Sequence, residues 1–423
     1  MRPSRYRWFV VLTFLAFILM HQADKLLIGP LTTPIMETFG IDEARMGFVF
    51  SGAVLVGAIC YPLWGLLFDL FRRTRLLALA SVIWGSTTWL SAIARTFPFF
   101  FVTRASTGID DSCYPGIYNT VADYFEPRKR GRVNGILGLG QPAGYLLGMA
   151  IAIFLGGALG WRNVFFITGG VGVVLAVVIF FFVREPARGG SEPEIAAAAH
   201  KVEFKFSWKA VRGLVRKRSL VLLFFNGFFG VFPWQVITFW FFRYLEKERS
   251  YQSGRMFLFM VVVVLVLAAG YPLGGALGDW LFKRTRRGRL IVSCTGILLG
   301  AIFLAAAITR PLSQPMAFEI LVGLAAIFMP LAAANAIATI YDVTEPEVRS
   351  TANAMLSFME QIGSAAAPAI AGLIAVRASL GTAILGICTS AWAVCLVFMV
   401  LAMVFVPRDI VALRGELEAR AKG

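Results

Sequence analysis

Five charged side chains lie inside stretches of sequence that are otherwise strongly apolar. Asp24 and Lys25 lie in the first stretch, and Arg104, Asp110 and Asp111 lie in the fourth. A charged side chain at the centre of a bilayer costs about 2.5–3.5 kcal/mol on insertion scales, so charges inside membrane spans normally face a water-filled cavity and serve a function. The two cations are suited to binding an anionic group, and the three carboxylates are suited to carrying a proton.

Proton transfer is the chemistry that this set of charges favours. Two cations cannot balance three carboxylates, and a carboxylate left unpaired in a low-dielectric site takes up a proton. Arg104, Gly108, Asp111 and Pro115 follow one another at steps of four, three and four. This spacing predicts one helix face, with Arg104 and Asp111 about 10 Å apart along the axis. We expect Asp111 to carry the proton and Asp24 to pair with Arg104; a static ion-pair network is the alternative.

A second group of side chains is suited to binding a substrate. In the seventh span, Asn226, Trp234 and Gln235 provide a polar and aromatic lining that suits an amphiphile, although aromatic residues in spans commonly contact lipid instead. Glu360 lies in the middle of the eleventh span. The expected substrate-binding residues are His21, Lys25, Arg104, Asn226, Trp234, Gln235 and Glu360.

The composition indicates that membrane helices position these residues. Hydrophobic residues make up 58% of the 423 residues and charged residues 15%, whereas soluble domains have about 45–50% and about 25%. A spanning helix needs about 20 apolar residues. The apolar runs predict an all-α membrane protein with twelve transmembrane helices, at about 8–29, 44–68, 76–94, 97–125, 132–158, 161–183, 219–245, 254–278, 289–309, 313–341, 349–376 and 380–406.

The basic residues predict the orientation, because Lys and Arg concentrate in cytoplasmic loops. With both termini inside, the cytoplasmic segments contain 29 of the 40 Lys and Arg residues, and the external loops and helix ends contain 9. Lys25 and Arg104 remain within the membrane. We therefore expect a monomeric, multi-pass protein of the plasma or inner membrane whose N- and C-termini are cytoplasmic.

Several other classes of function are disfavoured. The formal net charge of +16 is distributed between the apolar stretches rather than on one compact face, so no nucleic-acid partner is expected. The five cysteines have no Cys-x-x-Cys spacing and there are only two histidines, so neither a metal nor another cofactor is expected. The sequence contains neither a Walker motif nor Gly-x-Ser-x-Gly, which argues against an enzyme.

The sequence contains two related halves. Tyr-Pro-Leu followed by a Gly-x-Leu-x-Asp pattern closes both the second and the eighth span, and Asp-x-x-Glu-Pro-x-x-Arg follows both the fourth and the tenth. This repetition predicts a six-helix half at 1–183, a cytoplasmic linker at 184–218 with a basic amphipathic helix, a second half at 219–406 and a cytoplasmic tail at 407–423. Parallel halves of this kind indicate a secondary transporter that binds its substrate at the midplane.

The charged residues at the ends of the repeated spans resemble the gating motifs of the major facilitator superfamily. Gly65-x-Leu67-x-Asp69 with Arg73 is similar to the loop motif between the second and third spans of that family. The resemblance implies that Asp and Arg close the cytoplasmic side against a neighbouring helix terminus. The expected gating residues are Asp69, Arg73, Asp123 and Arg130 in the first half, and Asp279, Arg284, Asp342 and Arg349 in the second.

A finer resemblance, to the spinster-type group of lysolipid and sphingoid-base transporters, covers about residues 1–186. The group usually has Asn, Arg and Gly where this chain has His21, Lys25 and Asp110. The motifs that carry the resemblance are His21-Gln22-Ala23-Asp24-Lys25, Ala94-Arg95-Thr96-Phe97, Arg104-x-x-x-Gly108-x-x-Asp111, Ala122-Asp123-Tyr124-Phe125, Arg130-Gly131-Arg132, Gly160-Trp161-Arg162 and Arg184-Glu185-Pro186.

Together these features predict a proton-coupled secondary active transporter that works by alternating access. The resemblance implies an amphiphilic, lipid-like substrate of the lysolipid or sphingoid type. An organic-anion/proton symporter, in which Lys25 and Arg104 hold a carboxylate or phosphate, is the alternative within transport, together with a multidrug/proton antiporter. A membrane sensor that binds a ligand without transporting it is the alternative from a different class.

Overall fold

A computed structural model of the chain describes residues 3–186, 208–345 and 348–422. All regular secondary structure in these ranges is helical. The contacts between residues divide the chain into two units, Met1–Lys205 and Phe206–Gly423. The boundary falls inside the expected linker, of which residues 187–207 lie outside the described ranges.

The first unit consists of ten α-helices in its described part, with one π-helical turn at Ile151–Leu155 between the eighth and the ninth. The helices are α1 (Pro3–Leu26), α2 (Thr32–Phe39), α3 (Glu43–Leu70), α4 (Arg73–Ala92), α5 (Phe97–Ser106), α6 (Tyr114–Tyr124), α7 (Pro127–Gly138), α8 (Gly140–Ala150), α9 (Gly156–Leu159) and α10 (Trp161–Phe182).

The second unit begins with a short helix in the linker region and continues with long helices. In its described part these are α11 (Trp208–Arg216), α12 (Arg218–Lys247), α13 (Ser253–Phe282), α14 (Gly288–Ile308), α15 (Pro315–Phe328), α16 (Leu331–Asp342), α17 (Arg349–Arg377) and α18 (Leu380–Lys422). Basic residues at the exposed positions Arg212 and Arg216 of α11, with Leu214 buried, agree with an amphipathic helix.

Ten helices or continuous helical runs within the described residues are long and apolar enough to cross a membrane. They coincide with ten of the twelve expected spans. The two expected spans that are not among these ten are 76–94 and 97–125. The first of these forms α4, whose hydropathy is lowered by serine and threonine side chains such as Ser81, Thr88 and Ser91, all of them buried.

The continuous helix expected over 97–125 is wrong, because the fourth span is broken between α5 and α6. Gly108 lies so close to α3 that an added Cβ would come within 2.1 Å of the Ala53 carbonyl oxygen. Pro115 stands in the first turn of α6 and has no N–H to continue the preceding helix. Trp64 Nε1 donates to the Ile109 carbonyl over 2.5 Å, which satisfies backbone exposed by the break.

Small residues bring the helices of the first unit close together. At the contact of α4 with α10, a Cβ added to Gly85 would lie 2.7 Å from the Gly169 carbonyl oxygen, and Ser81 Oγ donates to the Gly172 carbonyl over 2.7 Å. Close approach through glycine and serine is how membrane helices associate without a hydrophobic driving force. This contact holds α10 and its Thr168 against the polar centre of the unit.

Candidate functional site

The ion pair expected between the first and fourth spans is present in the first unit. Arg104 Nη1 on α5 lies 3.9 Å from Asp24 Oδ2 on α1, and both side chains are buried. Asp24 also accepts hydrogen bonds from Thr88 Oγ1 on α4, at 2.9 Å, and Thr168 Oγ1 on α10, at 2.5 Å. The Arg104 guanidinium lies over the Phe165 ring, 5.0 Å from its centre. Four helices thus fix one buried carboxylate and its cation.

Asp111 pairs with Lys25 and not with Arg104. The Lys25 ammonium group contacts Asp111 Oδ2, and both side chains are only partly buried. The expected shared face of Arg104 and Asp111 depended on a continuous helix, and the break at 107–113 removes it. The partner of Arg104 was therefore predicted correctly, whereas the partner of Asp111 was not.

Asp110, for which no role was expected, is paired with His21. His21 Nε2 and Asp110 Oδ2 are 2.6 Å apart, and His21 Nδ1 is 2.7 Å from the hydroxyl of Tyr114. The spacing could have indicated this contact. His21, Asp24 and Lys25 lie at i, i+3 and i+4, so His21 shares the charged face of α1. That face meets Asp110, Asp111 and Arg104, the charged residues of the fourth span.

The charges of the first unit therefore form three separate pairs. Each cation has its own carboxylate, and the third carboxylate, Asp110, has His21. The expected excess of one acid holds only when the His21 ring is neutral. A proton on His21 would balance the cluster.

The second unit contains a cavity of about 270 Å³. Its lining is mostly apolar and aromatic, with Trp234, Tyr271 and Trp392 among the larger side chains. Asn226 and Glu360, both expected to bind substrate, also line it, whereas Gln235 is not among the lining residues.

Two polar groups in this cavity have no partner within the part of the chain that the structure describes. Asn226 Oδ1 is buried without a hydrogen bond, and the half-buried carboxylate of Glu360 makes neither a hydrogen bond nor an ion pair in those ranges. Unpaired acceptors beside aromatic faces provide a site for a donor or a cation.

The same ion pair occurs at the ends of the corresponding spans in both units. In the first unit, Arg73 Nη1 at the start of α4 lies 2.8 Å from Asp123 Oδ2 in the last turn of α6. In the second unit, Arg289 at the start of α14 contacts Asp342 at the end of α16, and its Nη2 lies 2.8 Å from Asp279 Oδ1.

The counterpart of Arg73 in this contact is therefore Arg289, and the gating role expected of Arg284 stays a prediction. The Arg284 guanidinium lies instead over the Trp280 ring, 3.9 Å from its centre. Three residues separate Asp69 from Arg73, but nine separate Asp279 from Arg289. The two basic turns have similar sequences, and the different spacing from Asp to Arg was therefore not recognised from the sequence.

The remaining gating candidates lie at helix ends. Asp69 is in the last turn of α3. Arg130 Nε donates to the carbonyls of Ala122 and Phe125, at 3.1 and 3.2 Å, and Arg349 Nε donates to the carbonyl of Thr344 at 3.4 Å. Both arginines thus bind carbonyl groups that a helix terminus leaves unpaired.

Glu185 provides a contact at the same end of the first unit that the sequence did not predict. Its carboxylate accepts from the backbone N–H groups of Arg73 and Thr74, at 3.1 and 2.8 Å, and from Thr74 Oγ1 at 2.6 Å. An acidic group at a helix N-terminus satisfies free N–H groups and is favoured by the helix dipole. Glu185 therefore ties the segment after α10 to the start of α4 and to the Arg73–Asp123 pair.

Comparisons with known proteins agree with this architecture. The sequence profile described as Major Facilitator Superfamily matches residues 13–322. Protein spinster of Drosophila melanogaster is 27% identical over 386 residues, which are 88% of this chain and 62% of that protein, so the chain spans less than two thirds of that relative. The hexuronate transporter of Bacillus subtilis (strain 168) is 25% identical over 373 residues, which are 86% of this chain and 87% of that protein.

The fold is also that of a solved transporter structure. The crystal structure of a bacterial homolog to the human lysosomal transporter Spinster superposes with a TM-score of 0.79 at 20% identity, covering 97% of this chain and 98% of that one. The profile match and these relatives confirm the resemblance read from the sequence motifs, and the family that they indicate is one of transporters, not of enzymes. With its helical spans, its repeated ion pairs and the profile match over more than half of its length, the chain belongs to the major facilitator superfamily, as a spinster-like multi-pass membrane protein.

Proposed function

We propose that the protein is a proton-coupled secondary transporter of an amphiphilic small molecule. The observation that carries the choice of substrate is the cavity of the second unit, which combines aromatic and apolar walls with the carboxylate of Glu360. An apolar wall favours a hydrocarbon chain, and an unpaired carboxylate favours an ammonium group over an anionic one. A lysolipid or a sphingoid base has both features.

The first unit provides the proposed proton coupling. Asp111 is the proton carrier, because its contact with Lys25 is partly exposed and can be opened by water or substrate. Asp24 and Arg104 form the buried pair beside it. Protonation of Asp111 would release Lys25, so the charge state of the site would change with each proton taken up.

Gating is proposed to use the ion pairs at the helix ends. The contacts of Arg73 with Asp123 and of Arg289 with Asp342 join the third to the fourth span of each unit. Such contacts contribute about 1.5–3 kcal/mol each, enough to bias an equilibrium between two conformations. Asp69, Arg130 and Arg349, at neighbouring helix ends, complete the proposed set.

The proposed topology has twelve spans with both termini in the cytoplasm. It counts α4 as the third span and the broken pair of α5 and α6 as the fourth. The distribution of Lys and Arg supports this orientation. The proposed location is the plasma or inner membrane, with the protein acting as a monomer.

A second candidate is an organic-anion/proton symporter. The relative from Bacillus subtilis named as a hexuronate transporter favours it, as does Lys25, whose side chain is 36% exposed and could exchange Asp111 for a substrate carboxylate. In this case the residues that bind the anion include Lys25 of the first unit.

Flux measurements separate the candidates. The purified protein is reconstituted into liposomes with an imposed pH gradient, and the movement of a fluorescent sphingoid base, a fluorescent lysophosphatidylcholine and radiolabelled glucuronate is followed. Gradient-driven flux of either lipid, without flux of glucuronate, is expected. Flux of glucuronate alone would establish the organic-anion/proton symporter. Flux that does not depend on the pH gradient would contradict proton coupling.

A further inference from the structure

The pair formed by His21 and Asp110 is closed to solvent in the part of the first unit that the structure describes. The side chain of His21 is 4% exposed and that of Asp110 is 0% exposed. The Phe17 ring stacks on the imidazole, with centres 5.5 Å apart, and the Trp84 ring meets it edge-on at 5.3 Å. Neither group is needed by the proposed coupling through Asp111 or by the cavity of the second unit.

We propose that His21 and Asp110 form a second proton-binding site, in which a single exchangeable proton makes the imidazole an imidazolium that Asp110 holds. This inference rests on the proposed proton coupling for its role in transport. The site itself follows from the geometry of the pair and from the charges around it.

The charge of the pair gives the first argument. Without the extra proton, neutral His21 donates Nε2–H to Asp110, and the pair carries a full negative charge that no solvent reaches. The other carboxylate oxygen, Asp110 Oδ1, is buried with no hydrogen-bond partner among the described residues. Burying an uncompensated charge is strongly unfavourable. With the proton, the pair is neutral overall and the 2.6 Å contact becomes an ion pair.

The surrounding charges give the second argument. The negative charge of Asp111 and the positive charge of Lys25 act in opposite directions on His21, and these two groups contact each other. Arg104 has its own partner in Asp24. The remaining titratable groups that face the pair are Cys60 on α3, Cys113 in the break, and Tyr114 on α6. Asp110 is therefore the group that holds the proton.

A hydrogen-bond relay connects this proton to the break in the fourth span. The hydroxyl of Tyr114 lies 2.7 Å from His21 Nδ1 and 3.3 Å from Gln22 Oε1. If His21 is neutral, Tyr114 donates to Nδ1. If His21 is protonated, Nδ1–H donates to the tyrosine oxygen, and the tyrosine hydroxyl is free to donate to Gln22. Tyr114 is the first residue of α6, so the proton sets the contacts of the hinge between α5 and α6.

The pair of His21 with Asp110 is more deeply buried than the contact of Lys25 with Asp111. The latter is partly exposed and can exchange protons with solvent in the present conformation. The proton on His21 can leave only when the helices around it move. A proton whose release requires a conformational change is what coupling to alternating access needs.

The two histidines of the chain make the site directly measurable. His200→Gln leaves His21 as the one imidazole, and the full-length variant with ¹⁵N-labelled histidine is studied by NMR in lipid nanodiscs at neutral pH. Both ring nitrogens of His21 are expected to carry protons. A neutral ring at neutral and mildly acidic pH would overturn the proposal.

Variants of the two adjacent carboxylates provide the matched control. Asp110→Asn, in the His200→Gln background, is expected to convert the ring to the neutral form, because the imidazolium loses its counterion. Asp111→Asn is expected to leave the imidazolium in place. If Asp110→Asn has no effect on the ring, or if Asp111→Asn alone neutralises it, Asp110 does not hold this proton.

The role in transport is tested separately. His21→Asn, which keeps a hydrogen-bonding side chain but takes up no proton, is expected to lose pH-gradient-driven flux of the fluorescent sphingoid base. Unchanged gradient-driven flux would overturn the role of this proton in transport. If His21→Asn does not fold, Tyr114→Phe interrupts the relay and is expected to change the pH dependence of that flux; an unchanged dependence would overturn the role. If the unmodified protein shows no gradient-driven flux of any compound, the proposed coupling fails, and the NMR result alone decides whether the site exists.

Discussion

The ammonium group of Lys25 contacts the carboxylate of Asp111, one turn of α1 away from the buried contact of His21 with Asp110. Two adjacent acidic residues thus point to two basic residues four positions apart. The first contact is partly exposed and the second is closed to solvent. Adjacent carboxylates in such different surroundings are suited to different steps of one proton pathway.

Asp111→Asn is expected to abolish transport driven by a pH gradient, because an amide cannot take up and release a proton as a carboxylate does. Substrate binding and passive exchange are expected to remain measurable. The comparison is made in proteoliposomes, with gradient-driven flux and equilibrium exchange of the same fluorescent lipid. Full gradient-driven transport by this variant would contradict the role of Asp111, and a loss of folded protein would indicate a static network instead.

The pair of Asp24 with Arg104 is expected to show strong coupling in stability. Arg104→Ala leaves a buried carboxylate without its cation, at a cost of about 3–5 kcal/mol, whereas removing both partners relieves that charge. Arg104→Ala should therefore lower the melting temperature more than the double variant with Asp24→Ala. Thermal unfolding in detergent provides the measurement. Simple addition of the two single effects would mean that the residues do not interact.

Arg289→Ala is expected to loosen the start of α14, and Arg284→Ala is the matched control. Arg289 contacts two carboxylates, whereas Arg284 lies over the Trp280 ring. A hydrogen bond to a charged group contributes about 1.5–3 kcal/mol, and the 64% exposure of Asp279 places the effect at the lower end of that range. Amide hydrogen exchange in the first turns of α14 should accelerate about tenfold in Arg289→Ala. Equal exchange in both variants would show that Arg289 does not stabilise this terminus.

Glu360→Gln is expected to weaken the binding of a cationic amphiphile by about tenfold or more, because a charge-assisted contact becomes a neutral one. Glu319→Gln is the control. Glu319 is bound by Arg255 and Tyr251, at 2.8 and 2.9 Å, and does not line the cavity. Affinity for a sphingoid base is measured by fluorescence titration. An unchanged affinity in Glu360→Gln would remove the cavity from the proposed binding site.

The helical spans were predictable because their signal is local. Ten of the twelve apolar runs coincide with helices that are long and apolar enough to cross a membrane. The break in the fourth span was not predicted, since it depends on the close approach of α3 at Gly108 and on the bond from Trp64 to the Ile109 carbonyl. Both are contacts between distant parts of the chain, which periodicity does not reveal.

The candidate site was predicted in composition but only partly in pairing. The contact of Asp24 with Arg104 was predicted and is present. The partner of Asp111 did not, because a rotation of the backbone within 107–113 decides which way that side chain points. Arg289 was missed for a similar reason, since the length of the turn before α14 differs from that before α4.

The unequal spacing of Asp and Arg in the two units shows what the shared contact depends on. Three residues separate Asp69 from Arg73 and nine separate Asp279 from Arg289, yet each arginine lies in the first turn of its helix and contacts the aspartate at the end of the following span. The six additional residues in the second unit therefore leave this contact in place. What the two units share is the position of a charge in space, whatever the number of residues that lead to it.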